Sequence, residues 1–177
     1  MRTRLALVSA LVVGSVASGP VLADGTHGQR LAAILGEGSG IVNVTATAAA
    51  DGFSAEITVN IHGTAPNTTF YVQRAPEVGR PLGHDGICQR ASGLWPWEQP
   101  NTPGFPPAPA FVTFPRPLVG ELTTLTTDAG GDGAAHLAFD LPSIVDGTNF
   151  DVEFRLVDSL ASPTIDLRSE CFTVAVR

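Results

Sequence analysis

Trp95 and Trp97 flank Pro96, and in an extended segment two residues so spaced point to the same side. With Phe105 close behind, the two indoles could stack a sugar ring or grip an apolar partner, since Trp joins a large apolar area to a single N–H donor. The competing role is structural: large aromatics bury on average, and these could plug one end of a domain. His84-Asp85 lies in the same stretch and could form half of an acid–base pair. Adjacent residues rarely orient one another, however, and no Ser sits in a Gly-x-Ser-x-Gly elbow. His27, His62 and His136 show neither His-x-His nor His-Glu-x-x-His spacing, so no metal or other cofactor is expected. All ten basic residues are Arg. The absence of Lys excludes phosphate-cradling GK[ST] loops, Schiff-base chemistry and Ser-x-x-Lys acyl enzymes.

The compartment is legible at the N-terminus. Arg2 and Arg4 precede the apolar run from Leu5 to Ala17, and Val21-Leu22-Ala23 follows with the small or branched residues that a signal peptidase reads. The run is shorter than the roughly 20 residues needed to span a bilayer. The expectation is a secreted, extracellular protein: residues 1–23 are a signal peptide cleaved near Ala23, and 24–177 form one soluble domain without membrane insertion. That mature part carries eight Arg against 17 acids, a net charge of −9. Such acidity argues against nucleic acid as a partner, because binding there needs a basic footprint. Export also makes a disulfide between Cys88 and Cys171 the default, closing a loop of 83 positions.

Strand patterning runs through most of the mature chain. Phe53, Ala55, Ile57, Val59 and Ile61 alternate with polar residues, as do Val42, Val44, Ala46 and Ala48, with Ala50-Asp51-Gly52 as the turn between the two runs. Leu137, Phe139 and Leu141 repeat the pattern, and so do Phe150, Val152, Phe154 and Leu156. Weaker runs at 30–35, 68–74, 118–127 and 171–176 bring the total to about eight strands, with no helix. An all-β, two-sheet antiparallel sandwich follows. Its outer faces are expected to be solvated through residues such as Glu56, Asp140, Asp151 and Glu153. Thr68–Arg74 and Thr148–Arg155 are locally similar and read as equivalent strands. The segment Gly63-Thr-Ala-Pro66-Asn-Thr68-Thr-Phe70-Tyr-Val72 resembles the proline-to-aromatic corner of immunoglobulin-like and fibronectin type III-like sandwiches, with Phe70 where that pattern prefers Tyr. The resemblance covers about ten residues and implies an immunoglobulin-like sandwich, in the style of secreted bacterial domains.

Residues 75–109 interrupt this pattern with eight of the 14 Pro, five Gly and both Trp. A loop of that length in a compact domain tends to be functional. Asp128-Ala-Gly-Gly-Asp132-Gly133 resembles the start of a calcium loop but has Gly130 and Phe139 where ligands belong, and it reads as a hairpin turn. Gly36-Glu-Gly-Ser-Gly40 reads as a connector. Together these features predict a non-catalytic binding module of the cell envelope or extracellular space whose partner is a protein or glycan. Its candidate ligand residues are Trp95, Trp97, Phe105, His84 and Asp85. The alternatives are a carbohydrate- or small-ligand module built on the two Trp, and an extracellular metal-binding protein or enzyme.

Overall fold

The structure, a computed structural model, describes residues 30–94, 110–114, 122–142 and 148–176. Its elements are β1 (Arg30–Leu35), β2 (Ser39–Ala49), β3 (Gly52–His62), β4 (Thr69–Pro76), α1 (Gln89–Ser92), β5 (Val112–Thr113), β6 (Thr124–Thr126), β7 (Gly133–Pro142), β8 (Asn149–Val157), β9 (Asp166–Ser169) and β10 (Phe172–Ala175). All the ladders between them are antiparallel, and they form two layers.

In the first layer the order is β1-β2-β3-β7, and the β2–β3 hairpin runs from Ser39↔His62 to Ala49↔Gly52. The second centres on β4 and β8. Both β5 and β6 pair with one edge of β4, while β9 and β10 pair with the far edge of β8. Short pairings join the layers along one side, Ile34 and Leu35 of β1 against Ser169 and Arg168, with a parallel bridge between Ala46 and Val176. On the opposite side, among the described residues, no ladder ties β7 to β5 or β6. The neighbours β2-β3-β7 and β4-β8-β10 follow the A-B-E and C-F-G arrangement of immunoglobulin-like sandwiches.

The core lies where the alternating faces meet. Val42, Val44 and Ala46 of β2 and Phe53, Ala55, Ile57, Val59 and Ile61 of β3 are buried, as the alternation requires. Facing them are Phe70 and Val72 of β4 and Phe150, Val152, Phe154 and Leu156 of β8. Fully burying each such large side chain contributes roughly 1.5–3 kcal/mol. The similar segments at 68–74 and 148–155 are hydrogen-bonded neighbours, with Val72 opposite Leu156 and Arg74 opposite Phe154.

β9 and β10 are one strand interrupted by a bulge. Arg168 pairs with Arg155 and Phe172 with Val152, so three residues, 169–171, oppose two, 153–154. The Ser169 hydroxyl fills the gap in the ladder, accepting the Phe154 N–H at 2.9 Å and donating to the Glu170 carbonyl at 2.8 Å.

Four expectations are corrected. The 75–109 stretch does contain a regular element, the single turn α1, closed by the left-handed Gly93. The 118–127 strand is reduced, among its described residues, to Thr124–Thr126. The Asp128–Gly133 segment is a tight turn but not a hairpin, because β6 pairs with β4 and β7 with β3, so it carries the chain between layers. Gly131 is needed there: its φ is 81°, and a Cβ would lie 2.1 Å from the Thr64 carbonyl oxygen. Finally, the proline-to-aromatic corner falls on β4, in the place of strand C, whereas immunoglobulin domains carry theirs at strand F, here β8. Thr127 braces that turn by donating to the Ala65 carbonyl at 2.7 Å and accepting the Thr68 N–H at 2.9 Å.

Candidate functional site: an inter-sheet cavity beneath an arginine rim

The inward face of β4 runs Phe70, Val72, Arg74, so a guanidinium stands where alternation asks for an apolar side chain. The Arg74 guanidinium carbon lies 3.6 Å from the centroid of the Phe114 ring and 5.2 Å from that of Phe139, and Nη1 donates to the Thr113 carbonyl at 3.1 Å. Such stacking over ring faces is the geometry of a cation–π contact. Beside it opens a cavity of about 250 Å³ between the layers, at the end where β4 and β7 finish and β8 begins. Its floor comes from both sheets, with Phe53 and Ala55 from β3, Phe139 from β7, and Phe150 and Phe154 from β8. Arg80 and Arg90, delivered by the chain beyond β4, join Arg74 in the lining, and Val78 closes the wall.

The segment from Glu77 to Ser92 positions those two arginines by lying over the outer face of the β4–β8 sheet. That face carries Ala75, Glu77 and Asp151, all at 1% exposure or less. Asp151 was expected on a solvated outer face. Instead it is the anchor of the insertion: its Oδ2 accepts the Gly86 N–H at 2.8 Å, its Oδ1 accepts the Thr173 hydroxyl at 2.6 Å, and its backbone N–H donates to the Gly83 carbonyl at 2.6 Å. Gly83 passes so close to β4 that a Cβ would stand 2.3 Å from the Glu77 carbonyl oxygen. Glu153, two residues along β8, is likewise only partly exposed.

Glu77 holds the start of α1, its Oε1 accepting the Arg90 N–H at 2.6 Å. Burial pushes its carboxyl above the ordinary value. The Arg90 N–H opposes that shift, and the Asp151 and Asp85 charges add to it. Arg90 Nη1 in turn donates to the Pro76 carbonyl at 3.1 Å. Cys88, at the N-terminus of α1, is joined to Cys171 at the bulge, with the Cα atoms 5.6 Å apart. The expected disulfide is therefore present, and it staples the insertion to the last strand.

His84 and Asp85 are both exposed and form no acid–base pair. Asp85 works locally, its Oδ1 accepting the Ile87 N–H at 2.9 Å and the Gln89 Nε2 amide at 3.1 Å. Trp95, Trp97 and Phe105 lie outside the described residues, as does His27. His62 Nδ1 is 3.4 Å from Asp132 Oδ1, and His136 Nδ1 is 3.1 Å from Thr58 Oγ1. Among the described residues, no group of three or more His, Cys, Asp or Glu is placed to hold a metal ion, and no helix is long and apolar enough to cross a membrane. Sequence reasoning passed over Arg74, Arg80 and Arg90. The parity of Arg74 with Phe70 and Val72 was a signal for the first, but nothing local marks the other two. No protein family, no curated protein and no solved structure matches the chain.

Proposed function

We propose that this chain is an exported, non-catalytic β-sandwich that binds a small, largely apolar ligand in the cavity between its sheets. The observation that carries the reading is the cavity itself. At about 250 Å³ it exceeds the ~150 Å³ apolar cavity that takes up benzene, and it sits where a stapled insertion meets the end of the sandwich. Close packing is the rule in protein interiors, so a space of this size among Phe and aliphatic side chains is a feature to be explained by an occupant. Export is supported by the tripartite N-terminus and is compatible with the disulfide.

The test is a titration of the purified domain with toluene and with 1-octanol, followed through the methyl resonances of Val44, Ala55 and Ile57. Saturable shifts that vanish in Val78→Trp, a substitution that fills the cavity from the loop side, are expected. Unchanged methyl resonances in the presence of both compounds would overturn the reading.

A further inference from the structure

On the reading that the cavity takes up an apolar ligand, its walls narrow the choice of ligand. Five phenylalanines from both sheets form a continuous arc around it. The ring centroids of Phe150 on β8 and Phe53 on β3 are 5.5 Å apart, and Phe53 meets Phe139 of β7 edge-on at 6.2 Å, with 69° between the planes. Phe139 in turn lies 5.7 Å from Phe114, just beyond β5, and Phe114 stacks on Phe154 at 6.3 Å and 12°. Phe150 and Phe154 are four residues apart on β8 and share a face with Val152 between them, so the arc starts and ends on one strand. Phe53, Phe139, Phe150, Val152 and Phe154 all line the cavity. At Phe114 the wall is completed by Arg74, whose guanidinium lies over that ring and over Phe139 and donates to the Thr113 carbonyl.

An aliphatic guest in such a space gains from burial alone. An aromatic guest gains in addition wherever the negative face of one ring meets the positive edge of another, each such contact being worth roughly twofold to tenfold in affinity. Neighbouring rings of the arc differ in plane by 12° to 69°, so a guest ring can meet them at both offset-stacked and edge-to-face angles. Size points the same way: a cavity of ~150 Å³ takes up benzene, and one of about 250 Å³ has room for a second fused ring. We infer that the ligand is an aromatic ring system of one or two fused rings, seated as a further member of the phenylalanine arc.

The experiment compares benzyl alcohol with cyclohexylmethanol, a pair alike in shape, on the disulfide-bonded protein by calorimetry and by the same methyl resonances. Each affinity is referred to the compound's own partition from water into hexadecane, which removes the difference in hydrophobicity. On that scale benzyl alcohol is expected to bind at least about fivefold more tightly. The preference should fall by half or more in Phe139→Leu and in Phe150→Leu, while cyclohexylmethanol affinity stays within about twofold of wild type. A purely structural role for these rings would weaken both compounds alike. Phe139 is only partly buried, so its variant tests the idea even where Phe150→Leu proves unstable. Equal corrected affinities, or a preference that survives intact in Phe139→Leu, would overturn the aromatic assignment and leave the binding reading standing. Binding of neither alcohol, nor of toluene, overturns both.

Discussion

Glu77 shows how one side chain can serve the site at a cost to the fold. Its carboxylate caps the turn that delivers Arg90, yet Oε2 is buried without a hydrogen-bond partner. A carboxyl whose value is raised in the native state binds protons there more readily than in the unfolded chain. Stability therefore falls as pH rises from the ordinary value of 4.5 through the raised one, and the penalty persists at neutral pH. Glu77→Gln keeps an acceptor for the Arg90 N–H and removes the charge. It is expected to melt about 2–4 °C above wild type at pH 7, the gain for each kcal/mol in a domain of this size. The difference should shrink toward pH 4, as differential scanning calorimetry across that range would show. A contrasting carboxylate is Asp166 on β9. Burial opposes its ionisation, but the paired forks of Arg168 and Arg155 hold it at about 2, so it favours the folded state throughout the neutral range.

At the scale of elements, the bulge between β9 and β10 links the sheet to the insertion. The extra residue lets Phe172 and Val174 keep facing inward while Cys171 reaches the loop on the outer side. Ser169 makes this tolerable by replacing the lost ladder partner of Phe154, which is itself buried. Ser169→Ala is expected to cost about 1–3 kcal/mol in urea unfolding, the range for leaving a buried donor unsatisfied. Ser169→Thr, which retains the hydroxyl, should cost less. None of this was legible beforehand, because a bulge depends on the count of residues facing one another across two strands. The long strands were legible for the converse reason: the period-two pattern of 53–61 and 150–156 is local and decides which face is buried. Asp151 marks the limit of that logic. Its alternation correctly put it on the outer face, but only the path of the distant 77–92 segment makes that face an interior.

The disulfide was readable from two cysteines and the expectation of export, whereas the cavity was not, since its lining is gathered from separate strands and a loop. For the molecule as a whole, cross-linking residues 83 positions apart should contribute roughly 4–5 kcal/mol by the chain-entropy account. The Cys88→Ser, Cys171→Ser double variant is expected to melt roughly 10 °C or more below wild type in differential scanning calorimetry. The same bond has a mechanical consequence. Were the domain pulled by its two ends, tension would pass from Cys88 directly to Cys171 and bypass β5 through β9. The enclosed 83 positions, about 280 Å of extended chain at ~3.4 Å per residue, would stay slack until the bond was reduced. Thiol chemistry would then set how far this protein can stretch.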